Sequence, residues 1–362
     1  MAANNRPYHE QKDIENTEKL RGLLRMLPSF AGDFFRGIEP RTSSRTRIAY
    51  AYDLRIFFEF LKKNNPTFKN MEISDIPLSC LDQIKAVDIE EYMEYLKYYS
   101  CDEGDRGHIN KERGIMRKLS SLKSFYNYYF KKEMISQNPA ALVSMPKLHE
   151  KEIIRLDVDE VALLLDEVEA GENLTDTQKA YHAKTKVRDL AIMTLLLGTG
   201  IRVSECVGLD IKDIDFKNGG IRIHRKGGKE VVIYFGREVE DALTDYLEER
   251  KRILPAQGSE DALFLSMQKK RINVRSVENL VKKYTRTVTP LKHITPHKLR
   301  STYGTALYRE TGDIYLVADV LGHSDVNTTK KHYAAIEDER RRSARNKVQL
   351  REKNGRADNR AD

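Results

Sequence analysis

Residues 295–333 read TPHKLRSTYGTALYRETGDIYLVADVLGHSDVNTTKKHY. Thr295-Pro296 has the form of a helix start, a capping residue followed by proline at the first helical position. His297 and Arg300, three apart, then fall on one face of the helix. Gly322 ends a second helical stretch, His323 lies in the turn after it, and Tyr333 follows ten residues later. Upstream, TGIRVSE places Arg202 just past the helix break at Gly200, and RKGGKE carries Lys226 on a hairpin tip. Two arginines, two histidines, a lysine and a tyrosine suit one chemistry: clamping a phosphodiester, moving its protons and attacking it with a phenol.

Each member has a blander reading. A phenol with an ordinary pKa near 10 is a poor nucleophile unless its proton is removed or its oxyanion stabilised, and most of the 18 tyrosines must pack or lie at the surface. Guanidinium groups are two-pronged donors matched to phosphate oxygens, and two of them can stabilise a phosphorane-like state without a metal. Arg202 at a helix N-terminus gains from the dipole as well. Glu205, three residues on, either holds Arg202 or forms an ordinary surface pair. His297 and His323 exchange protons near neutral pH, or serve as a capped helix histidine and a turn histidine. Lys226 protonates a departing 5′ oxygen, or joins Arg225 and Lys229 in sequence-independent attraction to phosphates. Taken singly these residues are ambiguous. The six together, in this order, point to one site.

Composition narrows the setting. The 362 residues allow two domains, each with its own core. With 33% charged residues and no apolar run near membrane-spanning length, a membrane span is excluded, and MAANNRPYHEQKD lacks the apolar stretch of a secretory signal. Cys80, Cys101 and Cys206 are scattered, suggesting neither a disulfide framework nor a zinc site; a cytoplasmic, nucleoid-associated location is expected. Formal net charge is +8, of which +6 falls in residues 340–362. That basic tail reads as a solvated terminus or as a contact for an acidic partner such as DNA.

Along the chain, residues 1–43 form an extension with two short helical segments broken at Pro28 and Pro40. Residues 44–145 carry three amphipathic helices: one capped at Ser43/Ser44, one after Asp88 and one from about Lys111 to Lys131. They contain no strand signal. Residues 146–156 read as a linker, 157–336 as a second domain, 337–362 as a tail. In the second domain, 171–186 reads as a polar loop and Lys186–Leu197 as an apolar helix closed by Gly198 and Gly200. Residues 221–235 read as a hairpin whose two-residue turn is Gly227-Gly228, and helices dominate to about residue 350.

The quoted motifs resemble those of the tyrosine site-specific recombinases, the integrase family, and are most similar to Xer-type and mobile-element members. TGIRVSE resembles the first-arginine box, RKGG the hairpin lysine, HKLRSTYGTAL the HxLRH box, and VLGHSDVNTTKKHY the run from the LGH box to the nucleophile. YAYDLRIFFEFL, RKLSSLKSFYNYY and NPA are similar to the core-binding domain, so the likeness covers roughly residues 44–336. It implies a mainly α fold: a small helical N-terminal core-binding (SAM-like) domain, then a mostly helical catalytic domain with a small antiparallel sheet. It implies roles too. Tyr333 attacks the scissile phosphate and forms a 3′-phosphotyrosyl link; Arg202 and Arg300 hold the phosphate, with Glu205 in support. His297 and His323 assist proton transfer, and Lys226 is the acid for the leaving 5′-hydroxyl. No metal, ATP or other cofactor is called for. The implied partners are double-stranded DNA with specific recombination sites, a homo-tetramer on synapsed DNA with a Holliday-junction intermediate, and accessory proteins. Major-groove contacts are placed at Arg275, Ser276, Asn279 and Lys282, and further DNA contacts at Arg225, Lys229, Lys118 and Lys123.

The chain departs from the pattern in three places. Ser301 stands where many Xer-type members carry a second histidine, the 171–186 loop is longer, and the 1–43 extension is additional. That extension is either an arm touching DNA or a neighbour, or a helical cap on the first domain. The helix expected after the tyrosine has few apolar positions, Ala344, Val348 and Leu350. Two rival functions remain at this level: type IB topoisomerase-like relaxation, and an architectural or regulatory DNA-binding protein that kept the fold without the catalysis.

Overall fold

The computed structural model describes residues 7–100, 107–148, 154–225 and 228–323. The chain divides into two compact units between residues 151 and 152.

The first unit holds α1 (Tyr8–Leu24), α2 (Ala31–Ile38), α3 (Ser44–Asn64), α4 (Ala86–Tyr95), α5 (Glu112–Lys131) and the short α6 (Pro139–Leu142). Ser43 caps α3, its hydroxyl accepting from the Thr46 N–H at 3.3 Å. The apolar stripes converge on one core: Leu20 and Leu23 of α1, Phe34 and Phe35 of α2, Leu54, Phe57 and Phe58 of α3, and Leu122, Phe125 and Tyr129 of α5. The two segments before residue 43 are therefore part of this core, and α1 packs directly along α3. Edge-to-face ring pairs lock it, with Phe34–Phe125 and Phe125–Tyr129 centroids each 5.1 Å apart. Each such ring contributes roughly 1.5–3 kcal/mol by leaving water. One expectation fails here. A two-residue antiparallel ladder, β1 (Tyr98–Tyr99) with β2 (His108–Ile109), interrupts the helices. Two residues are too few for a period-two pattern to register in the sequence.

The second unit is built around α9 (Lys186–Thr199), whose Ala191, Ile192, Met193, Leu195 and Leu196 are all buried. Against it pack α7 (Val158–Ala170), α11 (Arg237–Arg250) and α13 (Pro296–Thr311). Gly198 lies inside α9 and does not end it. A Cβ there would come within 2.5 Å of Val239 Cγ2, so the glycine lets α9 and α11 approach closely. The expected polar loop contains α8 (Asp176–His182), started by a capping box in which Thr175 and Gln178 exchange hydrogen bonds. That seven-residue helix carries too little apolar periodicity to stand out in the sequence. After the short α10 (Val203–Gly208), strands β3 (Ile214–Asp215), β4 (Gly220–His224) and β5 (Glu230–Tyr234) form an antiparallel sheet in the order β3-β4-β5. Ile221 opposite Ile233 packs inward while Arg222 and His224 face out. The hairpin loop is one residue longer than expected. The Arg225 N–H donates to the Lys229 carbonyl at 2.8 Å, so three residues separate that pair. Residues 251–273 form loops with isolated bridges where helix was expected. Then come α12 (Val274–Val288), α13 and α14 (Ile314–Leu321). Among the described residues no helix is long and apolar enough to cross a membrane.

Candidate active site

The site forms at the carboxyl end of α14. Gly322 adopts a left-handed conformation (φ +61°), and the His323 and Gly322 N–H groups turn back to the carbonyls of Ala318 and Asp319, at 2.9 and 2.8 Å. This is a Schellman stop. It leaves the carbonyls of Asp319 to Gly322 at the negative end of the helix dipole, and such groups need donors.

Three arginines from three separate segments supply them. Arg202, the N-cap of α10, donates from Nη2 to the Gly322 carbonyl at 3.1 Å. Arg300, on α13 and only 4% exposed, donates from Nη2 to the Leu321 carbonyl and from Nη1 to the Gly200 carbonyl at 2.5 Å. It thereby ties the left-handed end of α9 to the end of α14. Arg225, at the top of β4, donates to the Asp319 and Val320 carbonyls at 3.1 and 2.5 Å. Glu205 is nearly buried and accepts twice from Arg202, from its backbone N–H and from Nη1, each at 2.7 Å. It is thus both the first-turn cap of α10 and the brace of the guanidinium, and its burial sets it apart from the ordinary surface pair that was the other reading. Burial pulls the Arg225 pKa below its ordinary value; Glu205 and Asp319 push the other way, and Arg202 adds to the lowering. An oxyanion is the natural complement of such a cluster.

His297 is exposed on the first turn of α13, after Pro296, and its carbonyl accepts from the Ser301 hydroxyl at 3.1 Å. Thr295 holds the N-cap position, although its side chain makes no capping bond. His323 is half-buried in the turn that closes α14. The sequence-predicted Arg202, Glu205, Arg300 and His323 thus meet around one helix end. Lys226 and Tyr333 lie outside the described residues, as does the basic tail.

The sequence had assigned Arg225 only to general phosphate attraction; the structure seats it in the cluster. No local signal could have shown this, because its partners lie 94 and 95 residues away. Cys206 on α10 is core: burial pushes its thiol up to about 12.

The expected DNA contacts fare unequally. Lys118 is a correction: it is 6% exposed and donates to Asn110 Oδ1 at 2.8 Å, drawn inward near the buried Asp53. Lys123 is half-buried and donates to the Val143 carbonyl at 2.7 Å. Lys229 is exposed beside the hairpin loop. On α12, Arg275, Asn279 and Lys282 are exposed opposite the buried Val277, Val281 and Tyr284, with Arg275 paired to Glu278 at 3.3 Å. Ser276 is half-buried, and its N–H is capped by Asn273. Arg286, which no sequence motif marks, continues the stripe one turn on.

Residues 155–340 match the model of the phage integrase family. The chain belongs to that family, the tyrosine recombinases. It is 36% identical to the tyrosine recombinase XerC of Caldanaerobacter subterraneus subsp. tengcongensis, over 88% of this chain and 85% of that protein. It is 29% identical to the tyrosine recombinase XerD of Staphylococcus epidermidis, over 82% and 90%. The fold is shared with the XerH site-specific recombinase bound to palindromic difH substrate (TM-score 0.61, 19% identity, 83% of this chain and 80% of that one). It is also shared with the Tn1549 transposon integrase in complex with circular intermediate DNA (TM-score 0.59, 20% identity, 85% and 97%). As a tyrosine recombinase this chain is an enzyme, mainly helical in both units with small antiparallel sheets.

Proposed function

We propose that this recombinase cuts and rejoins DNA at specific sites, with Tyr333 as the nucleophile. The observation that carries the reading is the convergence of Arg202, Arg225 and Arg300 on one helix end, with Glu205 braced against Arg202. A phosphodiester in transfer spreads negative charge over its oxygens, and pre-placed guanidinium groups stabilise that charge without reorganising. Tyr333 Oη attacks phosphorus, the bond to O5′ breaks, and the enzyme keeps the 3′-phosphoryl group as a tyrosyl ester. Lys226 gives the departing O5′ its proton, while His297 and His323 receive or share the proton of the phenol and bond the non-bridging oxygens. The ester conserves the bond energy, so a 5′-hydroxyl from a partner strand reverses the step without ATP. Two rounds, through a Holliday junction on a synapsed homo-tetramer, complete the exchange. The biological outcome is integration or excision of a mobile element, or resolution of chromosome dimers. The exposed stripe of α12, Arg275 to Lys282, reads the groove beside the cut.

The test is a nicked suicide duplex carrying candidate sites from the DNA flanking the gene, resolved on a denaturing gel. A covalent protein–DNA adduct that disappears in Tyr333→Phe supports the reading. An adduct that survives in Tyr333→Phe assigns the nucleophile elsewhere. Tight binding with no adduct at any flanking site favours the architectural alternative.

A further inference from the structure

We infer that Arg271 is a positioning residue for strand cleavage: from the carboxyl end of α10 it fixes the short helix whose N-cap is Arg202, and so fixes the guanidinium that takes the scissile phosphate. The inference rests on the reading of Arg202 as a phosphate ligand and goes beyond it, to a residue that touches no substrate.

The helix α10 has only six residues, too few to hold a helical shape without outside contacts. Each end is held by a side chain. At the amino end, Glu205 accepts from the Arg202 N–H and from Arg202 Nη1, each at 2.7 Å. At the carboxyl end, the last carbonyls of a helix lack intrahelical donors, and Arg271 supplies one. Its Nη1 donates to the Val207 and Leu209 carbonyls at 3.2 and 2.7 Å, and its Nη2 pairs with the Asp210 carboxylate. A cation at this end also complements the helix dipole. The Arg271 side chain is 14% exposed, so the fork is largely shielded from solvent.

This guanidinium is not what anchors its own loop. The Arg271 N–H donates to Ser259 Oγ at 3.0 Å, and the Ile272 N–H donates to the Phe264 carbonyl at 2.9 Å. Arg250 of α11 grips the Glu260 and Ala262 carbonyls of the same loop. Removing the Arg271 guanidinium therefore leaves the loop tied down and releases α10. The free end of a short helix then shifts, and Arg202 shifts with it. An error of about 1 Å in a group that binds the reacting phosphate costs on the order of 100-fold in rate.

The experiment compares two nicked suicide duplexes, one with the ordinary phosphodiester at the cut and one with a methylphosphonate there. The methyl group replaces a non-bridging oxygen and removes its negative charge, so the second substrate has less need of guanidinium groups. Arg202→Ala, Arg271→Ala and the double variant are assayed on both, with melting and DNA-binding curves alongside. The expected result for Arg271→Ala is cleavage slowed roughly 10- to 100-fold on the phosphodiester and within about threefold of wild type on the methylphosphonate. The double variant should be no slower than Arg202→Ala alone, because effects that run through one group do not add. Equal slowing by Arg271→Ala on both duplexes overturns the proposal, since a general defect of folding or DNA binding is blind to the charge of the phosphate. So does wild-type cleavage of the phosphodiester, or a double variant slowed by the product of the two single effects. Should Arg271→Ala fail to fold, Arg271→Lys, which keeps the charge and loses the fork, goes through the same comparison with a smaller slowing and the same methylphosphonate rescue expected. Arg202→Ala slowed equally on both duplexes refutes instead the reading of Arg202 as a phosphate ligand, and the proposal with it.

Discussion

Two clusters of cations lie in the second unit, and they are built differently. Around Asp189 on α9, two cations and two hydroxyls converge on one buried carboxylate. One carboxylate oxygen accepts from Arg188 at 2.6 Å, and the other accepts from Thr185, Lys283 and Tyr284 at 3.0, 3.1 and 2.9 Å. The aspartate is almost fully buried, its partners come from α9 and α12, and Arg188 also holds the Leu265 carbonyl at 2.9 Å. At the end of α14, three guanidinium groups converge on backbone carbonyls, with the Glu205 carboxylate bracing Arg202. Carbonyl dipoles orient a cation without neutralising it. The first cluster closes around a carboxylate; the second is gathered on a helix end and holds its guanidinium groups in a fixed geometry, which is what a site for a transient oxyanion requires. The contrast separates a buried ion pair that secures a fold from one that prepares chemistry.

That contrast can be broken from either side. The largest effect is expected at the closed cluster. Asp189→Ala strands Lys283 and Arg188 and should cost about 3–5 kcal/mol, read as a lowered urea midpoint; a loss under about 1 kcal/mol would show the cluster to be dispensable. At the open cluster the effect should fall on rate. Arg300→Lys keeps the charge but loses the fork joining Gly200 and Leu321, and suicide-substrate cleavage should drop roughly 10²- to 10³-fold while the chain stays folded. Equal loss of stability and rate would make Arg300 another structural cation. Gly322→Ala is intermediate: the left-handed turn costs about 1–2 kcal/mol for a residue with a Cβ, seen as a modest fall in Tm.

The smallest effect lies in the first unit. Asp53 on α3 is buried against Arg117 and Ser121 of α5. Burial raises its pKa from 3.8, outweighing the lowering by Arg117, Lys118 and Ser121. The folded chain therefore holds this proton more tightly than the unfolded chain. Between 3.8 and the raised value, the contribution of Asp53 to stability falls as pH rises. Relative to Asp53→Asn, the wild type should lose stability as pH climbs through that window, tracked by paired urea titrations. The opposite slope would mean that Arg117 and Lys118 dominate.

Much of this was legible in the sequence. The stripes of α3, α4 and α5 announce themselves because Phe57, Leu61, Leu122, Phe125 and Tyr129 recur at helical spacing. The boxes around Arg202, Arg300 and His323 were legible because glycine and proline punctuate them, and a helix end is a local event. Lys118 was misplaced for the converse reason. A lysine on an amphipathic helix is expected to be solvated, and only the approach of Asn110 and Asp53 draws it inward.

The sequence by itself determined the kinds of element, the inventory of chemical groups and the family, since each rests on residue type and short-range spacing. The tertiary structure alone decided which carbonyls the arginines grip, that Arg225 joins Arg202 and Arg300, and that Asp189 closes its own cluster. Those pairings span 94 to 120 residues at most of their contacts. Local periodicity carries no information across such separations; the packing of α9, α13 and α14 does.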